Sequence, residues 1–466
     1  MPKKSHHDHY DCIIIGAGMS GLAAGIRLSM FQKKVLILEK HSIPGGLNSY
    51  YKRGKREFDV GLHALTNFVS AQDRGRPFNK LMKQLRIPYE DFKLTPQNYS
   101  IIQFPDQELK FTNDISFLSD EIRKFFPKEI DNFIRLLEHI RAFNEVNLDN
   151  KTVMAKDVVR TFIKDKALIE MIFCPLLIYG SAWENDMDFS QFVVMFKSIF
   201  LEGFSRPAGG VRTIIDLLTK KYQGELRYKA EVSKIITKEN KIIGVEINHN
   251  EIIYADKILS SMGLPETFSK INTTSEYPTG NLSFTESILI TDKKPIDLGI
   301  DATIIFKNER PEYFYQRPST LIDKKSAVVC FPNNFKYDSF GDDALEGVMR
   351  VTNIANFELW NALSKEKYLE QKEEVYQTAK GILKSCGINS PYEVLFKDIF
   401  TPTTVKRYTG HFSGAVYGST NKSRNGKTPV EGLFICGTDQ GFLGIVGSML
   451  SGISIANLHV LTGAES

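Results

Sequence analysis

Two glycine-rich stretches carry residue types and spacings that can do chemistry. In residues 10–40 an apolar run at 12–15 precedes Gly16, Gly18 and Gly21 in GxGxxG order, and a second apolar run at 35–38 ends on Glu39. Gly16 permits a tight turn, Gly18 lets backbone N–H groups approach a pyrophosphate, and Gly21 lets the following helix pack on the preceding strand. Ala17, Met19 and Ser20 complete the loop, and the helix N-terminus then faces the anion. Glu39, 18 residues beyond Gly21, is placed to accept a hydrogen bond from a ribose hydroxyl. GxGxxG alone is weak evidence; strand, turn, helix, strand and acid together are specific. The second stretch, residues 436–452, reads CGTDQGFLGIVGSMLSG and holds five glycines and a single carboxylate, Asp439. Ordinary turns around a last strand and helix would use such glycines too.

The elements that must position these loops follow from size and pattern. A chain of 466 residues is expected to form two or three structural units. With 24% charged and 42% hydrophobic residues and a net charge of only +4, the composition is globular and argues against nucleic acid as a partner. Cys12, Cys174, Cys330, Cys386 and Cys436 are scattered, which excludes a CxxC metal pair or a dense disulfide framework and suits a reducing, cytoplasmic compartment. No His/Cys/Asp cluster has metal-ligand spacing, and no GxSxG nucleophile elbow is present. The histidines of MPKKSHHDHYD read as a solvated tail, and the apolar residues after them are too few for a signal core. Residues 167–183 contain Glu170 and Pro175, so they read as a buried helix and its exit, and any membrane contact is expected to be peripheral.

Residues 115–143 show helical periodicity through Phe133, Leu136, Leu137 and Ile140, broken by Pro127 into two helices that pack on a core or cap a greasy substrate. A Gly-Gly turn at 209–210 opens another helix, and residues 224–260 alternate apolar and polar in a β-meander. Residues 281–400 mix strand-like runs with a polar helix over about 358–385. Tyr313, Phe314 and Tyr315 either line an apolar cavity or fill a core.

Further motifs carry a family resemblance. Pro44, Gly45 and Gly46 follow EK at 39–40, FDVG occupies 58–61, TPTTVKRYTGHFSGAVYG occupies 401–418, and VEGLFICGTDQG leads into the terminal glycines. Together they resemble the flavoprotein oxidoreductases that include phytoene desaturases, carotenoid isomerases and retinol saturases and, more distantly, amine oxidases. The matched segments cover about 40% of the chain.

The resemblance implies an α/β fold: a Rossmann-like, glutathione-reductase-like FAD-binding domain from residues 1–95, 205–280 and 401–466, a helical cap at 96–204, and a mixed substrate sheet at 281–400. It implies FAD as cofactor. The contacts are Gly16, Ala17, Gly18, Met19, Ser20, Gly21, Glu39, Lys40, Gly45, Gly46, Leu47, the Val232 main chain, Gly437, Asp439 toward the ribityl or pyrophosphate region, and the main-chain donors Ile445 and Val446 near the flavin. His63 stands where retinol-saturase-like members also carry His, either as a proton-transfer residue or as a structural, hydrogen-bonded one. His411 and Arg407 are further polar candidates. The implied activity is hydride exchange with a lipophilic polyene or isoprenoid, giving desaturation, saturation or cis–trans isomerisation, with an electron partner that the motifs do not identify and with contact at a membrane surface. Two alternatives stay open: a flavin-binding protein without turnover, and an amine oxidase, against which stands Leu47 where those relatives carry Arg.

Overall fold

The apolar, β-branched run of residues 12–15 forms the centre of the strand His9–Ile15, which pairs in parallel with Val35–Leu38 on one side and Glu251–Ser260 on the other. A strand flanked on both sides and covered on both faces must be apolar throughout. Glu225–Arg227 extends this sheet beyond Val35–Leu38, and Leu433–Ile435 joins the end of Glu251–Ser260, both in parallel. The first half of Glu251–Ser260 leaves the parallel array to pair antiparallel with Lys241–Ile247, which pairs in turn with Val232–Lys238. The structure is a computed structural model and describes residues 9–73, 75–271, 276–337 and 346–462. His6 and His7 of the leading histidine cluster lie outside the described residues; His9 Nε2 meets Asp256 at 2.8 Å.

The helix Met19–Ser29 crosses back over this sheet and packs against the terminal helix Gly444–Ala456. The contact is close because Gly452 faces the Ser20 carbonyl, where a Cβ would collide. The apolar stretch Gly444–Leu461 has the length and composition to cross a bilayer, but half of it is buried inside the fold, as a core helix is.

A second, mixed sheet is ordered Val394–Phe400, Ser283–Thr291, Gly347–Ala355, Ser326–Cys330, Ile304–Asn308, Ser100–Gln103, Glu108–Phe111. Lys365–Ser385 covers one face through Val375, Ala379 and Leu383. The other face meets the cap helices Ile115–Phe125, Ile130–Ala142, Ala155–Phe162, Lys166–Gly180 and Phe189–Phe196, whose core is rich in phenylalanine.

Three expectations differ in detail. The stretch 96–204, expected as helical cap and substrate domain, begins with Ser100–Gln103 and Glu108–Phe111, two strands of the second sheet. The helix Lys166–Gly180 runs through Pro175, because its burial on all sides outweighs one missing N–H. The polar helix is two helices, Phe357–Asn361 and Lys365–Ser385, since the Ser364 hydroxyl accepts from the Lys367 N–H and starts the second.

Candidate active site

The first glycine loop is built as its spacing requires. Gly16 adopts φ +97°, its N–H donates to the Leu38 carbonyl at 2.8 Å, and a Cβ there would collide with Ser261 Oγ. Gly21 lies under the Gly16 carbonyl with no room for a Cβ, whereas Gly18 faces open space. The Gly45 N–H donates to the Ala17 carbonyl at 2.9 Å, which ties the Gly45–Gly46 turn to the loop. Glu39 is buried and accepts from the Ala17 and His41 N–H groups, each at 2.9 Å. Two backbone donors hold this carboxylate in place and leave it lone pairs for another donor.

Gly16, Gly18, Met19, Ser20, Glu39, Lys40, Gly45, Gly46, Leu47, Val232 and Gly437 all line one cleft of about 250 Å³. Ala17 and Gly21 stand behind it, one with its N–H given to Glu39, the other packed beneath the turn. Burial draws the Lys40 ammonium below the ordinary lysine range, with Glu231 and Glu39 opposing, so an anion in the cleft would stabilise its charged form.

A second cavity of about 220 Å³ continues from the first, since Leu47, Asn48, Thr438 and Ser448 line both. Its walls are mostly apolar, with Phe284, Val328, Phe400, Val416 and Tyr417 among them. Gly444, at φ +70°, and Ile445 bring the start of the terminal helix to this cavity. The residue before that helix is Leu443, which has no side-chain oxygen to cap it, so its first-turn N–H groups have no side-chain partner from the cap residue. The Val446 side chain is fully buried in the Rossmann core and faces away from the cavity.

Three sequence-based assignments are corrected. Asp439 does not face the cleft. It is fully buried and accepts from the Leu264 N–H at 2.6 Å, the Ser419 N–H at 2.8 Å and Lys422 Nζ at 3.1 Å, so it pins two turns and a half-buried lysine. Its neighbours Gly437 and Thr438 line the cleft instead. His411 lines the glycine cleft with Nδ1 3.6 Å from Glu266, away from the apolar cavity. Arg407 is exposed, with its guanidinium over the Tyr408 ring.

His63 does line the apolar cavity. Its Nε2 lies 3.1 and 3.2 Å from the two Glu286 oxygens and 3.1 Å from Thr352 Oγ1. Arg350 Nε donates to Glu286 at 2.5 Å, and the Thr352 hydroxyl also donates to Glu286. Burial alone would raise the Glu286 carboxyl, but Arg350, His63 and Thr352 outweigh it and hold the group at about 2. The segment carrying His63 is strapped from outside: Arg350 donates to the Val60 and Leu62 carbonyls, and Arg206, paired with Asp59, donates to Leu62 as well. Glu286, Thr352 and Arg350 were missed in the sequence. Their signal was a single charge inside each of two otherwise uncharged strands, TESILI and VMRVTNI, which the interior tolerates only when paired.

Residues 14–85 match the NAD(P)-binding Rossmann-like domain. The chain is 26% identical to the chloroplastic prolycopene isomerase of Daucus carota over 96% of its own length and 79% of that protein's. It is 21% identical to the all-trans-retinol 13,14-reductase of Danio rerio, over 97% and 87%. Along nearly its whole length the chain is therefore similar to relatives named as carotenoid isomerases and a retinol reductase. A solved oxidoreductase from Methanosarcina mazei shares the fold of this chain, with a TM-score of 0.65 at 18% identity over 95% of this chain and 99% of that one. The glycine cleft lies within and beside the segment that matches the Rossmann-like domain, and the apolar cavity continues from it.

Proposed function

We propose that this enzyme binds FAD along the two-part cleft and uses it to transfer hydride to or from a lipophilic polyene or isoprenoid. The observation that carries this reading is the continuity of the two cavities: a polar cleft over a glycine turn opens directly into an apolar chamber headed by a helix N-terminus. The residues fit the cofactor. Gly18 leaves open the space a pyrophosphate needs, and Glu39 keeps lone pairs for a ribose. Lys40 stands ready for an anion, and the Val232 main chain edges the adenine end.

When bound, FAD supplies reversible two-electron hydride exchange. The chain's own part is positional. The loop 16–20 and the helix behind it hold the phosphates, and the uncapped start of the terminal helix stabilises negative charge at the other end. Phe284, Val416 and Tyr417 exclude water from the reacting carbon. An apolar chamber selects a hydrocarbon by shape and burial, and desaturation, saturation and isomerisation all use the same placement. Val146, Leu148, Val153 and Met154, exposed on the cap, support contact with a lipid surface as the source of substrate.

The purified protein is expected to be yellow, with the two visible bands of oxidised flavin; a colourless protein that FAD cannot reconstitute would sink the reading. Mass analysis of lipid extracts from cells with and without the gene then separates the outcomes. A shift of two hydrogens per step marks desaturation or saturation, and altered retention at constant mass marks isomerisation.

A further inference from the structure

Within the apolar chamber one polar group has a built orientation. His63 Nε2 sits among three oxygens, both of Glu286 and the hydroxyl of Thr352, at 3.1–3.2 Å. Glu286 also receives Arg350 and Thr352, so it is an ionised acceptor with nothing to donate. The proton facing it must therefore reside on Nε2. Nδ1 has no hydrogen-bond partner among the described residues, on a side chain that lines the chamber. A carboxylate that fixes one imidazole nitrogen and leaves the other to the reacting space is the arrangement that prepares a histidine for proton transfer.

We infer that His63 exchanges a proton with the substrate through Nδ1, and that Glu286 is the positioning residue that fixes its tautomer and supports its cationic form. The inference rests on the FAD reading above. Adding two hydrogens across a carbon–carbon double bond requires one hydride and one proton. The hydride, which carries both electrons, would come from reduced FAD and form the first C–H bond. The π electron pair takes the proton from Nδ1, whose N–H bond pair stays on nitrogen, and the neutral imidazole regains a proton from solvent. Removal of two hydrogens runs the same bookkeeping backwards, with Nδ1 accepting the proton.

The electrostatic surroundings of His63 are few and come from several elements. Glu286 lies on Ser283–Thr291, and Arg350 with Thr352 on Gly347–Ala355. Cys330, whose thiol burial pushes up to about 12, donates to the His63 carbonyl, and Arg206, paired with Asp59, reaches the same carbonyl at 3.4 Å. The Tyr179 ring lies 6.1 Å away, its hydroxyl held neutral by burial well above the ordinary range. Of these charges only Glu286 touches the imidazole ring, so it alone sets which ring nitrogen carries the proton.

The test uses the full chain reconstituted with FAD and labelled with 15N-histidine. Expected are a proton on Nε2 and a pyridine-like Nδ1 in the neutral ring of the wild type, with that tautomer preference lost in Glu286→Gln. A neutral ring protonated on Nδ1, or a tautomer unmoved by Glu286→Gln, overturns the proposal. With the polyene found by lipid extraction, turnover in D2O should place solvent deuterium at the protonated carbon in each saturation step. In the desaturation direction the labelled substrate should return its proton to solvent. His63→Gln, which keeps an amide beside Glu286, should lose about 10²-fold in turnover and the pH dependence with it while binding FAD normally. Flavin bound and wild-type turnover with an unchanged pH profile in His63→Gln defeats this inference alone; absence of flavin from the wild type defeats the reading beneath it.

Discussion

At the scale of single residues, the glycines of the first loop have separable roles. A Cβ on Gly18 meets nothing within 4 Å, and its backbone is in an ordinary extended conformation, so Gly18→Val should fold with an unchanged apo melting point. It fills the space reserved for the pyrophosphate, so flavin content at purification should fall at least about tenfold, a loss of about 1.4 kcal/mol in binding. Gly21→Val should do the reverse, because its side chain meets the Gly16 carbonyl: apo stability falls before any ligand is added. Equal losses of stability in both variants would refute the division. Asp439 makes the opposite lesson. Its place among the terminal glycines suggested a cofactor ligand, but a carboxylate with three protein donors and no exposure is an anchor. Asp439→Ala leaves half-buried Lys422 without its main counter-charge and should cost about 3 kcal/mol of apo stability by denaturant titration. Full apo stability with weakened FAD binding would restore the ligand role. Spacing made Glu39 legible because sheet register fixes where it falls; Asp439 was not legible because its partners, at 264, 419 and 422, come from turns with no periodic signal.

At the scale of elements, the sequence reveals those whose period is unbroken and hides those set by tertiary contact. The helices on either side of Pro127 and the parallel strands announce themselves through apolar spacing. The short strands Ser100–Gln103 and Glu108–Phe111 do not, since a strand of four residues becomes one only when Ile304–Asn308 lies beside it. The His63 site was half legible for the same reason: FDVGLH is a local motif, whereas Glu286 and Arg350 meet it only through strand pairing across Ser283–Thr291 and Gly347–Ala355. The contact of Met19–Ser29 with Gly444–Ala456 is similar, joining segments more than 400 residues apart through one missing side chain, that of Gly452. Gly452→Val forces the helices apart at Ser20, a residue that lines the glycine cleft. It should destabilise the fold by about 1–3 kcal/mol and weaken FAD binding together. A variant that loses stability and keeps its flavin affinity would show that the helix contact does not set the cleft.

At the scale of the whole molecule, the Rossmann sheet and the second sheet have separate hydrophobic cores, and the cleft runs between them. Its glycine end is walled by 16–20, 39–47 and 437–438, and its apolar end by strands 283–291, 326–330 and 347–355 together with 443–448. A ligand spanning both ends touches both sheets, so its binding energy adds to the stability of the assembled chain and not of one half. Mass action sets the size: a ligand that binds only the folded state at 1,000 times its Kd adds about 4 kcal/mol. FAD in that excess should therefore raise the thermal midpoint of the apoprotein and sharpen it into one transition, read by scanning calorimetry. ADP, which reaches only the glycine end, should raise the midpoint less and leave the second sheet unaffected, and NADP should do no more than ADP. If FAD and ADP shift the midpoint equally, the apolar chamber takes no part in cofactor binding, and the flavin end of the proposed site would have to be placed elsewhere. A larger shift from FAD instead ties the chemistry to the chamber where His63 and Glu286 meet.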